Sequence, residues 1–282
     1  MRTVILYHAN CPDGFGGAFA AWKKFGDAAE YYPVKHSDLP EEVAGATVYL
    51  IDLCYRKELM DELLAKAASL VVLDHHEGLE DVVRTMPNYV YDAEHSGAAI
   101  AWTYFHPDIP LPKLLAHIED DDLFRFLLPD TKPLMAYLSV QPFTFEFWDE
   151  IAGMLEHPEA MSVVLEKART YREYFDLLAQ QSAERAKLVQ FEGYEIYVAQ
   201  THPMKTMVSS VGNILATRKG PFALVLQIRP NGIAVSMRGD GTIDLTKVAA
   251  KYGGSGHPSS SAFLLPWGTP LPWTYVGEAH TD

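Results

Sequence analysis

The sequence predicts an α/β protein of two domains, in which a doubly wound parallel sheet is followed by a helical connector and a smaller α/β domain. Three features of the chain support this prediction. Short apolar runs alternate with helical patterns in the first half, a long charged helical pattern comes next, and strand-like runs then resume. The chain has 282 residues, and a single hydrophobic core seldom grows beyond about 250 to 300 residues.

The first half contains apolar runs with the length and the β-branched content of buried strands. These runs are Thr3–Tyr7, Tyr31–Val34, Thr47–Ile51, Ser69–Leu73 and Tyr89–Tyr91. Helical patterns lie between or after them, at Gly16–Phe25, Arg56–Ala68 and Ser96–Phe105. Continuous apolar strands that alternate with helices are typical of a parallel sheet covered on both faces. We therefore predict the first domain at residues 1–150.

The second half begins with a long helical pattern, from Ala160 to Val189, that is rich in charge. A helix that is polar on much of its surface suits a connection between domains, and we predict a connector at residues 151–190. Strand-like runs follow at Tyr194–Ala199, Phe222–Ile228 and Ile233–Met237. They predict a second domain at residues 191–270, and residues 271–282 are expected to form an irregular tail.

The formal net charge of −14 limits the partners of this protein. A protein that follows long nucleic acid usually has a basic stripe, because neutralised phosphates dominate that affinity. No Lys/Arg run is longer than two residues, so we expect no binding of long duplex DNA. The sequence has no apolar run of membrane-spanning length and no signal-peptide pattern, and it has only two cysteines. We therefore expect a cytoplasmic protein without membrane contact.

Polar side chains that are able to bind metal follow three major predicted strands. They are His8, Cys11 and Asp13 after the first, Asp52 after the second, and Asp74, His75 and His76 after the third. Parallel sheets bind ligands at the carboxyl ends of their strands, so we expect these side chains to lie near one another. For a single Asp, a helix N-cap is the better interpretation, but the whole set favours a metal site.

Carboxylates mixed with imidazoles suit Mn²⁺, Mg²⁺ or Zn²⁺, and several carboxylates permit a bridged pair of ions. Two metal ions about 4 Å apart bind both the attacking and the leaving oxygen of a phosphoryl displacement and acidify the water between them. This chemistry indicates a metal-dependent phosphohydrolase with two divalent ions. We expect Mn²⁺ first, with Mg²⁺, Zn²⁺ and Co²⁺ as alternatives.

Four segments, in the expected order, resemble the DHH phosphoesterase family and its associated C-terminal domain. The segment LDHHE (Leu73–Glu77) follows an apolar strand, with HANCPDG (His8–Gly14) upstream and Asp52 between them. Near the other end, GGSGHPSSSAF (Gly253–Phe263) is preceded by SMR (Ser236–Arg238) and resembles the glycine-rich signature of the associated domain. The tripeptide DHH alone is a weak motif, whereas the whole set covers nearly the entire chain.

The resemblance implies a role for each matching residue of the first domain. His8 would bind one metal ion, Asp13 would bind the other, and Asp52 would bridge them. His75 would be a further ligand, oriented by Asp74 as a hydrogen-bonding partner behind it.

The resemblance also implies a residue at the phosphate and a later metal ligand. His76 would lie near the scissile phosphate as an electrophile or a general acid. The family has a later metal-binding Asp before an apolar segment, and in DDDLFRF the spacing favours Asp120, with Asp122 second. Cys11 stands where the family commonly has an Asp. Its thiolate would prefer a softer ion than Mg²⁺; alternatively, it is a small buried thiol and that metal site is weaker.

The resemblance assigns substrate binding to the second domain. Gly254 and Gly256 would let the backbone approach an anion closely. His257 would contact a substrate phosphate or terminal group, and Arg238 would add a bidentate contact.

Our leading hypothesis is the hydrolysis of phosphodiester bonds in short oligonucleotides or small nucleotides, by a water that two metal ions activate. The expected partner is a small phosphorylated substrate or a short single-stranded oligonucleotide, and a homodimer is compatible with the sequence. An exopolyphosphatase or pyrophosphatase that cleaves phosphoanhydrides is the alternative. A non-catalytic nucleotide-binding sensor is an alternative of another class, for which Cys11 is the only argument.

Overall fold

The computed structural model describes residues 2–35 and 39–277, and the chain divides into two compact units. The first unit is Met1–Arg169 and the second is Thr170–Asp282. Each unit has its own sheet, with a hydrophobic core on each face of the first sheet and a further core against the second. No helix in the described part of the chain is both long enough and apolar enough to cross a membrane.

The sheet of the first unit is formed, within the described residues, by five strands. They are β1 (Thr3–His8), β2 (Ala29–Val34), β3 (Thr47–Ile51), β4 (Ser69–Asp74) and β5 (Tyr89–Tyr91). All neighbouring pairs are parallel, in the spatial order β2-β1-β3-β4-β5. The order reverses between β1 and β3, and such a switch point is where open α/β sheets bind ligands. The predicted doubly wound α/β fold is confirmed.

Helices cover both faces of this sheet. They are α1 (Pro12–Phe25), α2 (Lys57–Lys66), α3 (Glu80–Val83), α4 (Gly97–Phe105), α5 (Lys113–Asp122), α6 (Thr131–Leu138), α7 (Phe145–Glu156) and α8 (Pro158–Glu184). Because side chains alternate across a strand, Ile5 and Tyr7 of β1 enter one core while Val4 and Leu6 enter the other. This double burial explains why the strands are continuous apolar runs.

The long helical pattern of the sequence is a helix for most of its length and a strand at its end. Helix α8 ends at Glu184, and β6 (Lys187–Phe191) pairs antiparallel with β7 (Tyr194–Gln200). The expectation of helix up to Val189 was therefore wrong. Val189 and Phe191, two positions apart on a strand, both point into the hydrophobic core of the second unit and do not continue a helical face. The division between the units falls inside α8, after Arg169.

The second unit contains a mixed sheet. Besides β6 and β7, its strands are β8 (Phe222–Arg229), β9 (Gly232–Gly239), β10 (Ser255–His257), β11 (Ser260–Pro266) and β12 (Thr274–Tyr275), and its helices are α9 (Lys205–Arg218) and α10 (Leu245–Ala250). The order is β10-β11-β9-β8-β7-β6-β12, in which β7 and β8 are parallel. The predicted tail contributes β12, which pairs with β6; its residues 278–282 lie outside the described residues.

Candidate metal centre

The predicted metal-binding side chains lie at the carboxyl edge of the first sheet. His8 is the last residue of β1, Asp52 directly follows β3, and His75 directly follows β4. Asp13 lies in the first turn of α1, and Asp122 is the last residue of α5. Three strands and two helices therefore each bring one candidate metal ligand to this edge of the sheet.

Asp52 lies between two groups of candidate ligands and presents one carboxylate oxygen to each. Its Oδ2 is 3.3 Å from His8 Nδ1, while its Oδ1 is 3.2 Å from His75 Nε2. The residue has a left-handed backbone with φ of 56°, a conformation that residues other than glycine adopt at some energetic cost. A carboxylate in this position has the geometry of a bridging ligand.

The first group consists of His8, Cys11 and Asp52, whose nearest ligand atoms all lie within 4.8 Å of one another. The second consists of Asp13, His75 and Asp122 with the same spacing. In the second group, His75 Nε2 is 3.7 Å from Asp13 Oδ2 and 3.5 Å from Asp122 Oδ2. Asp52, His75 and His76 form a third set that overlaps both.

The electrostatics of the centre are those of a buried anionic cluster. Burial raises the pKa of Asp13, and the charges of Asp52 and Asp122 raise it further. Burial also acts to raise the pKa of Asp52, but hydrogen bonds with His75 and His8 outweigh it and leave that pKa below its usual range.

The pKa of His75 responds to the same cluster. Burial alone would lower this pKa, but the hydrogen bond with Asp52 and the neighbouring carboxylates raise it to about 9. Buried carboxylates require a compensating positive charge, and nitrogen and oxygen donors at this spacing fit divalent metal ions. The residues present therefore fit the binding of divalent metal ions.

Asp13 connects the centre to the packing of the first unit. Its buried carboxylate accepts hydrogen bonds from the backbone N–H of Gly97, at 2.6 Å, and of Ala98, at 2.9 Å, at the start of α4. These amides carry the partial positive charge of the helix N-terminus, which favours the ionised carboxylate. Gly97 is required here, because a Cβ on it would lie 2.5 Å from Asp52 Cβ.

Asp74 supports the side chain of His76. The resemblance had implied that it would orient the side chain of His75 instead. Its Oδ1 is 2.7 Å from His76 Nδ1 and accepts the backbone N–H of His75, at 2.9 Å, and of His76, at 3.4 Å. Asp74 is the last residue of β4 and is fully buried, so its hydrogen bonds are made to the two residues that directly follow the strand. Burial lowers the pKa of His76, but the hydrogen bond and charge of Asp74 reverse the direction and raise it.

The structure reverses the expected order of Asp120 and Asp122. Asp120 is buried and accepts hydrogen bonds from Leu127 N–H at 2.7 Å, Leu128 N–H at 3.1 Å and the Thr131 hydroxyl at 2.6 Å. Residues that are two positions apart on a helix point about 200° apart around its axis, so the carboxylates of Asp120 and Asp122 face different ways. Asp122 faces His75, whereas Asp120 holds the segment after α5 in place.

That segment contains an aromatic feature that the sequence reasoning missed. Phe124 is 71% exposed and its ring contacts Phe126 edge-on, with 4.8 Å between centroids. Both residues have left-handed backbones, with φ of 56° and 50°. The only signal in the sequence was the repeated Phe in the motif DDDLFRF, which we used to choose between carboxylates.

The substrate-binding residues predicted in the second domain share one region of the second sheet. Ser260 of β11 pairs with His257 of β10 on one side and with Arg238 of β9 on the other. The guanidinium of Arg238 donates to Met237 O at 2.9 Å and to Ser209 Oγ at 3.1 Å, and burial lowers its pKa.

The two glycines predicted to bind substrate lie beside His257. A Cβ on Gly254 would lie 2.2 Å from Ala262 O, and Gly256 has a φ of 149°. Close packing against β11 accounts for both, so their role in substrate binding stays a prediction.

The sequence of this chain is similar to that of a viral protein. No protein-family model matches the chain. The chain is 27% identical over 286 residues to an uncharacterized protein of Acanthamoeba polyphaga mimivirus, a match that spans 93% of this chain and 67% of the viral protein.

Solved structures are similar over nearly the whole chain. A DHH domain from a member of a ribosomal-protein family has a TM-score of 0.56 at 14% identity, with 93% of this chain and 82% of that chain covered. The chain has the fold of DHH-domain proteins. The pGpG-specific phosphodiesterase PggH of Vibrio cholerae has a TM-score of 0.54 at 14% identity, with 95% of this chain and 94% of that chain covered. RecJ of Thermus thermophilus in complex with Mn²⁺ has a TM-score of 0.53 at 13% identity, with 94% of this chain and 49% of that chain covered. A DHH fold alone does not determine the reaction.

Proposed function

We propose that this protein is a metal-dependent phosphohydrolase that acts at the carboxyl edge of its first sheet. The observation that carries the proposal is the position of Asp52, whose two oxygens face two different groups of ligand atoms. His8 and Asp52 would hold one divalent ion, and Asp13, His75 and Asp122 would hold the other, with Asp52 shared between them. A bound metal pair supplies a nucleophilic water at neutral pH and charge stabilisation for the phosphoryl group.

His76 would act on the substrate. Its raised pKa keeps a proton on both ring nitrogens over a wider pH range than that of a free imidazole. Nδ1–H donates to Asp74 Oδ1, which orients the ring and leaves Nε2–H as the donor to a phosphate or leaving-group oxygen. Such positioned acids contribute about 10²- to 10⁴-fold to the rate.

Short oligonucleotides or small nucleotide phosphodiesters are the substrate class we favour. The exposed ring of Phe124 is two residues from Asp122, and a base that stacks on an aromatic ring gains about 1–3 kcal/mol. The net charge of −14 argues against long duplex DNA, which is bound through many cationic contacts. In the second unit, Arg238, Gly254, Gly256 and His257 would bind a phosphate group.

The proposal is tested with metal-stripped protein that is reloaded with Mn²⁺, Mg²⁺, Zn²⁺ or Co²⁺. The substrates are a dinucleotide, a pyrimidine trimer, bis-p-nitrophenyl phosphate, pyrophosphate and tripolyphosphate. We expect metal-dependent release of mononucleotide. Asp52→Asn and His75→Gln should each reduce the rate by at least about 10³-fold, since each removes a ligand.

Two matched variants control for the loss of an ordinary Asp or His. Asp61→Asn changes an exposed residue of α2, and His157→Gln changes an exposed residue that follows α7; both should keep full activity. His76→Gln should lose turnover while it keeps the full metal content by mass spectrometry. Orthophosphate release alone would instead support the phosphoanhydride hydrolase. A protein that binds two metal ions and nucleotide without turnover would support the sensor.

A further inference from the structure

The two groups of candidate ligands differ in chemistry. The group of Asp13, His75 and Asp122 offers imidazole nitrogen and carboxylate oxygen, whereas that of His8, Cys11 and Asp52 also offers a sulfur atom. Bonds to zinc are about 2.0 to 2.3 Å long, so atoms on one ion lie within about 4.6 Å of each other. The ligand atoms of each group lie within 4.8 Å of one another, so each group is compact enough to surround one ion.

The backbone explains why Cys11 lies beside His8. Asn10 has a left-handed φ of 58°, which makes the turn between β1 and α1 tight. Cys11 occupies the N-cap position of α1 with an extended backbone, and its side chain makes no capping hydrogen bond. Its carbonyl starts the helix by accepting from Phe15 N–H at 3.0 Å. The helix therefore uses the backbone of Cys11 and does not use its thiol as a cap.

Cys54, the other cysteine, has a different environment. Its side chain is buried in the core of the first unit that contains Val4 and Leu6. Its thiol donates to Tyr55 O at 3.4 Å. Burial, reinforced by the charge of Asp74, raises the pKa of this thiol to about 12. Cys54 thus stays a protonated core thiol and provides a matched control for Cys11.

We propose that the two metal positions of this centre are chemically unequal, because the Cys11 thiolate is a ligand at the position formed with His8 and Asp52. That position is the softer one and selects Zn²⁺, Co²⁺ or Fe²⁺ over Mg²⁺, since thiolate ligands favour such ions. The position of Asp13, His75 and Asp122 is the harder one and accepts Mn²⁺ or Mg²⁺. Metal binding deprotonates the Cys11 thiol and releases its proton to solvent. The inference rests on the metal centre proposed above but not on the identity of the substrate.

The test is a Co²⁺ titration of the metal-stripped full-length chain, followed by absorption spectroscopy. Wild type and Cys54→Ala should both develop a near-ultraviolet thiolate-to-cobalt charge-transfer band that saturates at one equivalent of ion. Cys11→Ser should lack the band while it still binds Co²⁺. A chelator competition should show Zn²⁺ affinity reduced by at least about tenfold in Cys11→Ser, the scale found when a supporting metal-site group is lost.

A second variant separates ligation from misfolding. Cys11→Asp supplies an oxygen donor at the same place, so it should bind two Mn²⁺ ions with near-wild-type circular dichroism and a lower preference for Zn²⁺. Cobalt binding in wild type without the band, or a band that survives in Cys11→Ser, would overturn the unequal positions and leave the metal centre intact. Failure of wild type to bind any of these ions would overturn the metal centre itself.

Discussion

Single residues at the carboxyl edge of the first sheet each combine a structural and a chemical role. Asp13 fixes the start of α4 and faces His75. Asp74 holds the turn after β4 through a backbone N–H and orients His76. Because these carboxylates are buried, their hydrogen bonds have few competitors and determine the direction of each side chain. The geometry of the centre is therefore built into the folding of the strand ends.

Phe124 provides a prediction at the residue scale. Phe124→Ala should raise the KM for a dinucleotide by about 5- to 150-fold, because a stacked base loses about 1–3 kcal/mol. Hydrolysis of a substrate without a base, such as tripolyphosphate, should not change. Leu127→Ala is the matched control, since Leu127 is 80% exposed in the same segment but has no ring. Steady-state kinetics of the three proteins measures the effect; equal losses on both substrates would contradict base stacking.

At the scale of elements, the close approach of α1 and α4 to the strand ends forms the centre. Small residues make this approach possible, as a Cβ on Gly17 would lie 2.3 Å from Ile51 Cγ2 of β3. The approach directs the N-terminus of α4 at the carboxylate of Asp13. Helix α5 then presents Asp122 on one side while Asp120 fixes the following segment on the other. Each element thus contributes a candidate ligand, a supporting residue or both.

Gly97 provides a prediction for this packing. Gly97→Ala places a methyl group 2.5 Å from Asp52 Cβ and 3.0 Å from Asp13 Oδ2, so we expect about 1–3 kcal/mol less stability from overpacking. The affinity for metal should fall as well, because two ligands are displaced. Urea unfolding of the metal-free protein and a metal titration measure the two effects.

Gly153→Ala is the control for the glycine substitution. Gly153 lies within α7, and a Cβ there would have no atom within 4 Å. Alanine should therefore stabilise the protein by up to about 1 kcal/mol through helix propensity and leave metal affinity unchanged. Equal behaviour of the two variants would show that the start of α4 tolerates a side chain after all.

At the scale of the whole molecule, the two units have separate cores and different sheets, one parallel and one mixed. The acidic excess of the chain, 37 Asp and Glu against 23 Lys and Arg, is accommodated differently in each. In the first unit several carboxylates converge at the candidate metal centre. In the second, Glu192 at the β6–β7 turn accepts hydrogen bonds from Lys251 and, at 2.6 Å, from Tyr252.

Glu192 provides a prediction for the pH dependence of the second unit. The hydrogen bond from Lys251, followed by that from Tyr252, lowers the pKa of Glu192 below its usual range. A carboxyl whose pKa is lowered by folding stabilises the protein above its unfolded pKa of about 4.3, and this stabilisation is lost as the pH falls through the folded value. Glu192→Gln should therefore cost about 1 kcal/mol at pH 7 and nothing once Glu192 is protonated.

Hydrogen exchange over β6 and β7, followed by mass spectrometry, measures this difference at several pH values. Glu195→Gln is the control, because the Glu195 side chain is 37% exposed, against 19% for Glu192, and its ion pair with Lys219 should contribute less. A cost for Glu192→Gln that stays constant down to the lowest pH would show that the charge of Glu192 has no part in it.

Much of the fold and part of the site were predictable because they depend on local patterns. Strands β1, β3 and β4 of the first sheet are nearly continuous apolar runs, which is the pattern of a strand buried on both faces. The polar residues that end β1, β3 and β4 were likewise visible, and the rule for parallel sheets brings strand ends to one edge. Helix α8 was predicted to end at Val189, but it ends at Glu184. The helical pattern of the sequence runs on into the short strand β6, so the pattern alone did not mark the end of the helix.

The sequence by itself therefore determined the parallel α/β first domain, the gathering of Asp and His at one sheet edge and the acidic character of the chain, because period and composition are local properties. Only the tertiary structure decided the partner of Asp74, the proximity of Asp122 to His75, the exposure of Phe124 and the grouping of Cys11 with His8 and Asp52. Those four depend on the direction in which side chains leave turns and helix ends. Small changes in backbone angle set that direction, and residue spacing does not reveal them.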